Sequence, residues 1–162
     1  MLFRSYPQIK VVFEQWCDSW SPEKALKHVE NGLTQFKDDV QVVLCANDGT
    51  AGGAVQALAE QKLAGKVLTT GQDAELAACK RVVAGTQAVT IYKPIKKLAL
   101  AAAKAATELA EKQKPSGVNT EVENGKIKVP SIMLLPIQVD KNNMRSVIIA
   151  DGFHTEEEIY GK

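Results

Sequence analysis

The sequence has 162 residues, 45% of them hydrophobic, and carries 20 Lys and Arg residues against 19 Asp and Glu residues. This length predicts one domain with a substantial core, and the balanced charge gives no reason to expect nucleic acid or an acidic membrane surface as a partner. No apolar stretch approaches the roughly 18 residues that a membrane span needs, and the first residues lack the apolar run of an export signal.

Strands and helices alternate in the predicted order of elements. Residues 9–15 (IKVVFEQ) predict a short strand, and Ser21-Pro22-Glu23 is a helix start with a hydroxyl cap, a first-position proline and an acid. Residues 41–46 predict a buried strand, with Asp48 as the cap of a helix to about residue 61. Two further strands are predicted at residues 66–70 and 87–92, with helices at 74–83 and from 93 to about 112.

This alternation predicts an α/β fold, a three-layer α/β/α lobe with a mainly parallel sheet and right-handed crossovers. The pattern changes after residue 117. Asn124-Gly125 between extended runs predicts a two-residue hairpin turn. Residues 129–139, interrupted by Pro130 and Pro136, predict an edge or connecting segment, and residues 144–150 and 155–160 predict short terminal elements.

Polar and aromatic side chains follow each predicted parallel strand. In chain order they are Trp16, Asp18 and Trp20, then Asn47 and Asp48, then Gln72 and Asp73, then Lys93. The carboxyl ends of parallel strands share one edge of a sheet, where ligands bind in open α/β folds. An aromatic plate with amide, carboxylate and ammonium groups suits a neutral polyhydroxylated ligand such as a sugar, whose hydroxyls both donate and accept hydrogen bonds.

Each of these signals also has a simpler interpretation. Asp48 can serve only as a helix cap, Trp16 or Trp20 can be a core residue, and Lys93 can be a solvated lysine at a strand end. Their common placement favours the ligand site over these separate interpretations.

The sequence gives little support for a nucleotide, metal or catalytic site. The glycines of DGTAGG do not match a dinucleotide or phosphate loop, and Cys17, Cys45 and Cys79 lack metal spacing, which favours free thiols. A doubly wound enzyme could use only Asp73 with Lys93 as an acid–base pair. We therefore expect a binding protein without cofactor or metal.

Several ordered motifs resemble the D-xylose-binding proteins of bacterial ABC sugar importers, within the type I periplasmic sugar-binding family. These motifs are QWCDSWSPEKALKHVENGLT, ANDGTAGGAVQAL, KVLTTGQDAELAACKRVVAGTQAVTIYKPI, PIQVDKNN and IADGFHTE. The resemblance implies two lobes that close on one sugar in the periplasm or at the outer face of the cell membrane. It places the sugar contacts on Trp20 (as stacking plate), Asn47, Asp73 and Lys93, and so favours Trp20 over Trp16 as the plate. Trp16, Gln72 and Asp48 stay secondary candidates from their positions after the strands.

The resemblance covers only the carboxyl-terminal half of such a protein. It implies that residues 1–93 form the carboxyl-terminal sugar-binding lobe without its first strand and helix. Residues 94–162 would form a hinge, a long helix and return strands that pack on an absent amino-terminal lobe. We therefore expect a dimer, an exchange of elements or a second polypeptide, with an ABC permease as the functional partner. A sensor subunit read by a membrane histidine kinase, or a ligand-binding domain of a repressor, is the alternative within this fold.

Overall fold

The computed structural model describes residues 5–161 and has two compact units. The first contains the described residues up to Ile91 and those from Val139 onward, and the second is Tyr92–Gln138. The first unit is α/β, with helices α1 (Pro22–Phe36), α2 (Asp48–Glu60) and α3 (Leu76–Ala84) following one another between short strands. This confirms the predicted fold class.

The first three strands of the sheet, which alternate with helices along the chain, are parallel. Its strands are β1 (Val42–Val43), β2 (Leu68–Gln72) and β3 (Val89–Tyr92), and a later strand, β6 (Ile137–Val139), comes last in the order β1-β2-β3-β6. β1 and β3 both run parallel to β2, which pairs Val43 with Thr69 and Gln72 with Ile91. The carboxyl ends of the three strands therefore lie at one edge of the sheet.

Local signals fix where the helices begin and end. The Ser21 side chain accepts a hydrogen bond from the Lys24 N–H at 3.2 Å, and Pro22 occupies the first helical position, as predicted. α3 ends at Gly85, whose φ of 80° is the left-handed conformation that glycine adopts at low cost. α3 begins at Leu76 rather than at residue 74, because Asp73 and Ala74 both have positive φ and cannot continue a helix.

The core of the first unit joins α1 and α2 to the sheet. Leu33, Leu58 and Val67 form a buried cluster with half-buried apolar neighbours that include Val43. α1 and α2 cross closely at Gly53, where a Cβ atom would overlap the Pro22 carbonyl oxygen. The absence of a side chain at that position permits the two backbones to touch.

The predicted strand at residues 9–15 does not form, which corrects the sequence-based expectation. Val11 and Val12 are 58% and 51% exposed, and the segment has neither strand nor helical structure. Phe13 contacts the Phe36 ring edge-on, with the centroids 6.4 Å apart. β-Branched residues favour a strand only where a neighbouring strand supplies the hydrogen bonds, and no strand pairs with this segment among residues 5–161.

The second unit contains the long helix and the hairpin. α4 (Ile95–Ala110) has no buried residue. β4 (Thr120–Glu123) pairs antiparallel with β5 (Lys128–Ser131), and Gly125 turns the connection with a φ of 88°. The hairpin is confirmed, although four residues rather than two separate the strands.

The chain ends with short helical segments in the first unit. A π-helical turn (Arg145–Ile149) buries Ile148, and α5 (Glu156–Tyr160) buries Ile159. Thr155 and Glu158 form a capping box at the start of α5. Among residues 5–161, no helix has the length and apolar character needed to cross a membrane.

Candidate functional site

Two candidate positions, Asn47 and Asp73, follow β1 and β2 at the carboxyl edge of the sheet, and a third, Trp20, precedes α1. A Cβ atom built on Gly49 would lie 3.8 Å from Pro22 Cγ and 3.4 Å from Asn47 Nδ2. The starts of α1 and α2 are therefore neighbours, which brings the loop of Trp20 near Asn47. Asp73 follows β2, the next strand of the sheet.

Both tryptophans are exposed, so neither is a core residue. Trp20 is 61% exposed and Trp16 is 86% exposed. Trp20 ends a 3-10 turn (Asp18–Trp20), has a φ of 55°, and donates its N–H to the Cys17 carbonyl at 3.0 Å. His28 Nε2 lies 3.1 Å from the Trp16 carbonyl oxygen, which ties this loop to α1.

Asn47 caps α2, so the sequence-based assignment of the cap to Asp48 is wrong. The Asn47 Oδ1 accepts hydrogen bonds from the Thr50 N–H at 3.0 Å and from the Thr50 hydroxyl at 2.6 Å. Asn and Asp are comparable as cap residues, and the helix simply begins one residue earlier than expected. The Asn47 Nδ2 amide has no hydrogen-bond partner among residues 5–161, so it can donate to a ligand.

Asp48 is fully buried and its carboxylate accepts three hydrogen bonds. Its Oδ2 accepts from the Glu75 N–H at 3.0 Å and from the Thr90 hydroxyl at 2.8 Å, and its Oδ1 accepts from Gln87 Nε2 at 2.9 Å. Burial raises the pKa of Asp48, while the hydrogen bonds from Thr90 and Gln87 act in the opposite direction. The Asp48 side chain thus bonds to other groups of the protein and is not presented to solvent.

Arg81 and Gly71 complete the surroundings of Asp48. The Arg81 guanidinium donates to the Asp48 carbonyl at 2.8 Å and to Gln87 Oε1 at 2.9 Å. A Cβ atom at position 71 would overlap both the Asp48 carboxylate and the Gln87 amide, so a larger residue there would displace these two hydrogen-bonded side chains. Hydrogen bonds thereby join the start of α2 to α3 and to β3.

Asp73 begins a turn with an unfavourable backbone conformation. Its φ is 105°, and that of the next residue, Ala74, is 53°. Consecutive positive values in residues other than glycine are rare and cluster at functional sites. The turn is held by the Asp73 N–H, which donates to the Ile91 carbonyl at 2.9 Å, and by the Ala74 N–H, which donates to the Thr90 hydroxyl at 3.1 Å. The Ala74 carbonyl also lies 2.9 Å from His154 Nε2.

The remaining candidates lie at the ends of β2 and β3. Gln72 is the half-buried last residue of β2. Lys93 directly follows β3, is exposed, and belongs to the second unit. Its role in the site stays a prediction from the order of the strands.

Sequence reasoning missed the partners of Asp48, although one signal pointed to them. Gln87 and Thr90 are polar residues in an otherwise apolar predicted strand, and both are buried. Buried polar side chains require hydrogen-bond partners, so an acceptor facing that strand could have been anticipated. The identity of that acceptor could not be predicted, because Asp48 lies 39 and 42 residues earlier in the chain.

A depression of about 490 Å³ opens beside α1, α2 and α3, and its lining includes Asp48 and Glu75 near the strand ends. Its lining includes Glu23, Lys27, Glu75 and Arg81, but not Trp20, Asn47 or Asp73. It mixes acidic and basic side chains, and Arg81 is already engaged with Asp48. We therefore do not assign the ligand to this depression.

The cysteines Cys45 and Cys79 are free thiols. Burial raises the pKa of the Cys45 thiol to about 12 and that of Cys79 to about 11, so both stay protonated at neutral pH. Within residues 5–161, no group of three or more His, Cys, Asp or Glu side chains is arranged to hold a metal ion.

Residues 2–114 match the sequence profile of a family described as periplasmic binding protein domain. The chain belongs to this family. Its parallel sheet, with polar side chains after the strands, is the part of the periplasmic binding protein domain that carries the candidate site.

Curated and solved relatives support this assignment. The domain is 54% identical to a D-xylose-binding periplasmic protein of Haemophilus influenzae and 52% identical to one of Escherichia coli, in each case over 94% of this chain and 46% of the relative. A solved carbohydrate transporter solute-binding protein from Chloroflexus aurantiacus, in complex with D-glucose, superposes with a TM-score of 0.78 at 32% identity. That match covers 86% of this chain and 42% of the other. The chain thus spans about half the length of the relatives it matches.

Proposed function

We propose that this chain forms one wall of a monosaccharide-binding cleft, with D-xylose as the sugar, in the substrate-binding component of an ABC sugar importer. The observation that carries the proposal is the 54% identity over 94% of the chain to a D-xylose-binding periplasmic protein. The relatives are named as periplasmic, and we propose the same location for this chain. As those relatives are binding proteins, we expect no catalysis.

Each proposed contact has a distinct role that follows from its surroundings. The exposed Trp20 ring can stack on the C–H face of a sugar ring. Asn47 can donate through Nδ2, because its Oδ1 is engaged by Thr50. Asp73 accepts two sugar hydroxyls and Lys93 donates to one. Trp16 and Gln72 are secondary contacts, whereas the buried Asp48 supports the site from inside.

The second wall of the cleft comes from outside this chain. The chain spans 46% of the length of its D-xylose-binding relatives, and we propose that further polypeptide or a second copy supplies the remaining contacts. Ligand contacts on both walls would then favour a closed form through hinge motion. Each charge-assisted hydrogen bond that is missing costs on the order of 1.5–3 kcal/mol, so we expect weak xylose binding by this chain alone.

Thermal-shift and calorimetric titrations with pentoses and hexoses at high concentration test the proposal. We expect D-xylose to raise the melting temperature, and we expect Trp20→Ala and Asp73→Ala to abolish that effect. Trp16→Ala is the matched control, since it removes an exposed tryptophan from the same loop and should keep most of the effect. Equal loss in both tryptophan variants, or no effect of any sugar when the rest of the relatives' length is supplied, would contradict the assignment.

A further inference from the structure

The buried Asp48 links the segments that carry two proposed ligand contacts. Its backbone follows Asn47 directly at the start of α2, and its carboxylate accepts the Glu75 N–H from the turn after β2. The same carboxylate accepts the Thr90 hydroxyl of β3 at 2.8 Å. Among residues 5–161, its three carboxylate hydrogen bonds account for its burial without a ligand contact.

The turn that Asp48 holds would not keep its shape unaided. Asp73 and Ala74 have φ values of 105° and 53°, a conformation that costs free energy and persists only where the surroundings enforce it. The Thr90 hydroxyl accepts the Ala74 N–H at 3.1 Å while it donates to Asp48. Asp48 therefore orients the hydroxyl that holds the turn, and it also holds the next N–H of the chain itself.

We propose that Asp48 is a positioning residue of the ligand site, which fastens the Asp73–Ala74 turn and the start of α2 to β3 so that Asn47 and Asp73 hold their places before a ligand arrives. This inference rests on the proposed function, because it gives Asp48 a role in the same site. It assigns Asp48 no contact with the ligand.

Two substitutions break this arrangement in different ways, and a third is a matched control. Asp48→Asn leaves one carbonyl oxygen for three donors, and Thr90→Val removes the hydroxyl that joins Asp48 to Ala74. Thr69→Val makes the same change on β2, where the hydroxyl is fully buried and has no hydrogen-bond partner among residues 5–161. Thr90→Val keeps the test decisive if Asp48→Asn does not fold.

Amide hydrogen exchange of the whole chain without sugar is the first measurement. The reporters are the Asp73 N–H, bonded to the Ile91 carbonyl, and the Thr50 N–H, bonded to Asn47 Oδ1, because neither touches an altered side chain. For Asp48→Asn and Thr90→Val, we expect the exchange rate of both reporters to rise by about tenfold or more relative to the mean change in exchange rate of the α1 amides. For Thr69→Val, we expect no such difference. A uniform change across reporters and α1 would show a merely structural role and overturn the proposal.

The second measurement is the sugar dissociation constant of the folded fraction, taken with the remaining length of the relatives supplied. We expect both variants to weaken D-xylose binding by about tenfold, and the control to leave it unchanged. Unchanged affinity in the folded fraction would also overturn the positioning role. If the unaltered protein binds no sugar, the proposed function fails, and the exchange pattern alone decides whether Asp48 holds the turn.

Discussion

At the scale of single residues, the neighbours Asn47 and Asp48 divide two tasks between them. Asn47 caps α2, and its Nδ2 amide has no partner within the described part of the chain, whereas Asp48 is buried among donors from three later segments. The strand-end argument predicted the position of the pair but assigned the cap to the wrong member. The bonds of Asp48 join residues 27, 39 and 42 positions apart, and local sequence patterns carry no information about such distant partners.

Asp48 should give the protein a measurable dependence of stability on pH. Burial raises its pKa above the ordinary value of 3.8, so the folded state binds this proton more tightly than the unfolded state. The resulting destabilisation is present at neutral pH and disappears as the pH falls through the raised pKa. As the pH falls, we therefore expect the free energy of unfolding of the unaltered protein to rise relative to that of the Asp48→Asn variant. Urea denaturation of both proteins at a series of pH values measures this difference.

The charged groups around Asp48 require a control in this experiment. Arg81 faces it with a positive charge, and the pKa of Glu75 is itself raised, first by burial and then by Asp48. The thiols of Cys45 and Cys79 also lie near it, but they stay protonated in acid. Both proteins should therefore carry Glu75→Gln. A relative loss of stability in acid would mean that the three hydrogen bonds outweigh burial and lower the pKa of Asp48.

At the scale of elements, the sequence predicted helices better than strands. The Ser21-Pro22 start and the Gly85 end were readable because caps depend on adjacent residues. Residues 9–15 had a suitable composition for a strand but form none, because strand formation depends on a partner elsewhere in the chain. The late start of α3 was equally hidden, since contacts with β3 impose the conformation of Asp73 and Ala74.

Two substitutions of Asn47 separate its capping role from its ligand role. Asn47→Ala removes the acceptor for Thr50 and should lower the free energy of unfolding by about 0.5–2 kcal/mol. Asn47→Asp keeps an equivalent acceptor, so we expect nearly unchanged stability but weaker sugar binding, because the Nδ2 donor is lost. Urea denaturation and calorimetry of both variants measure the two effects. Unimpaired sugar binding by Asn47→Asp would show that Nδ2 makes no ligand contact.

At the scale of the whole molecule, the second unit exposes apolar surface that a self-sufficient domain would cover. α4 has no buried residue, and Ile95, Leu98, Leu100 and Leu109 are 56%, 52%, 64% and 61% exposed. Helical spacing places Ile95, Leu98 and Leu109 on one face and Leu100 on the opposite one. Together with the 46% coverage of the D-xylose-binding relatives, this apolar face supports the expectation that α4 packs against further polypeptide.

We expect this chain alone to associate through the apolar face of α4. Light scattering after size exclusion should give a mass above that of the monomer, and Leu98→Glu should shift the protein towards the monomer. Leu100→Glu is the matched control, because it adds the same charge on the other face and should leave the mass unchanged. A compact monomer for the unaltered chain would contradict this expectation.

The close crossing of α1 and α2 at Gly53 has a consequence for the choice of sugar. Because backbone atoms meet there, the separation of the two helix starts is set by the chain itself and not by adjustable side chains. Trp20 and Asn47 therefore lie beside two helix starts whose separation is fixed. For the proposed site, we therefore expect that admitting a larger sugar ring would require exchanging side chains, because sliding one helix along the other would break this backbone contact.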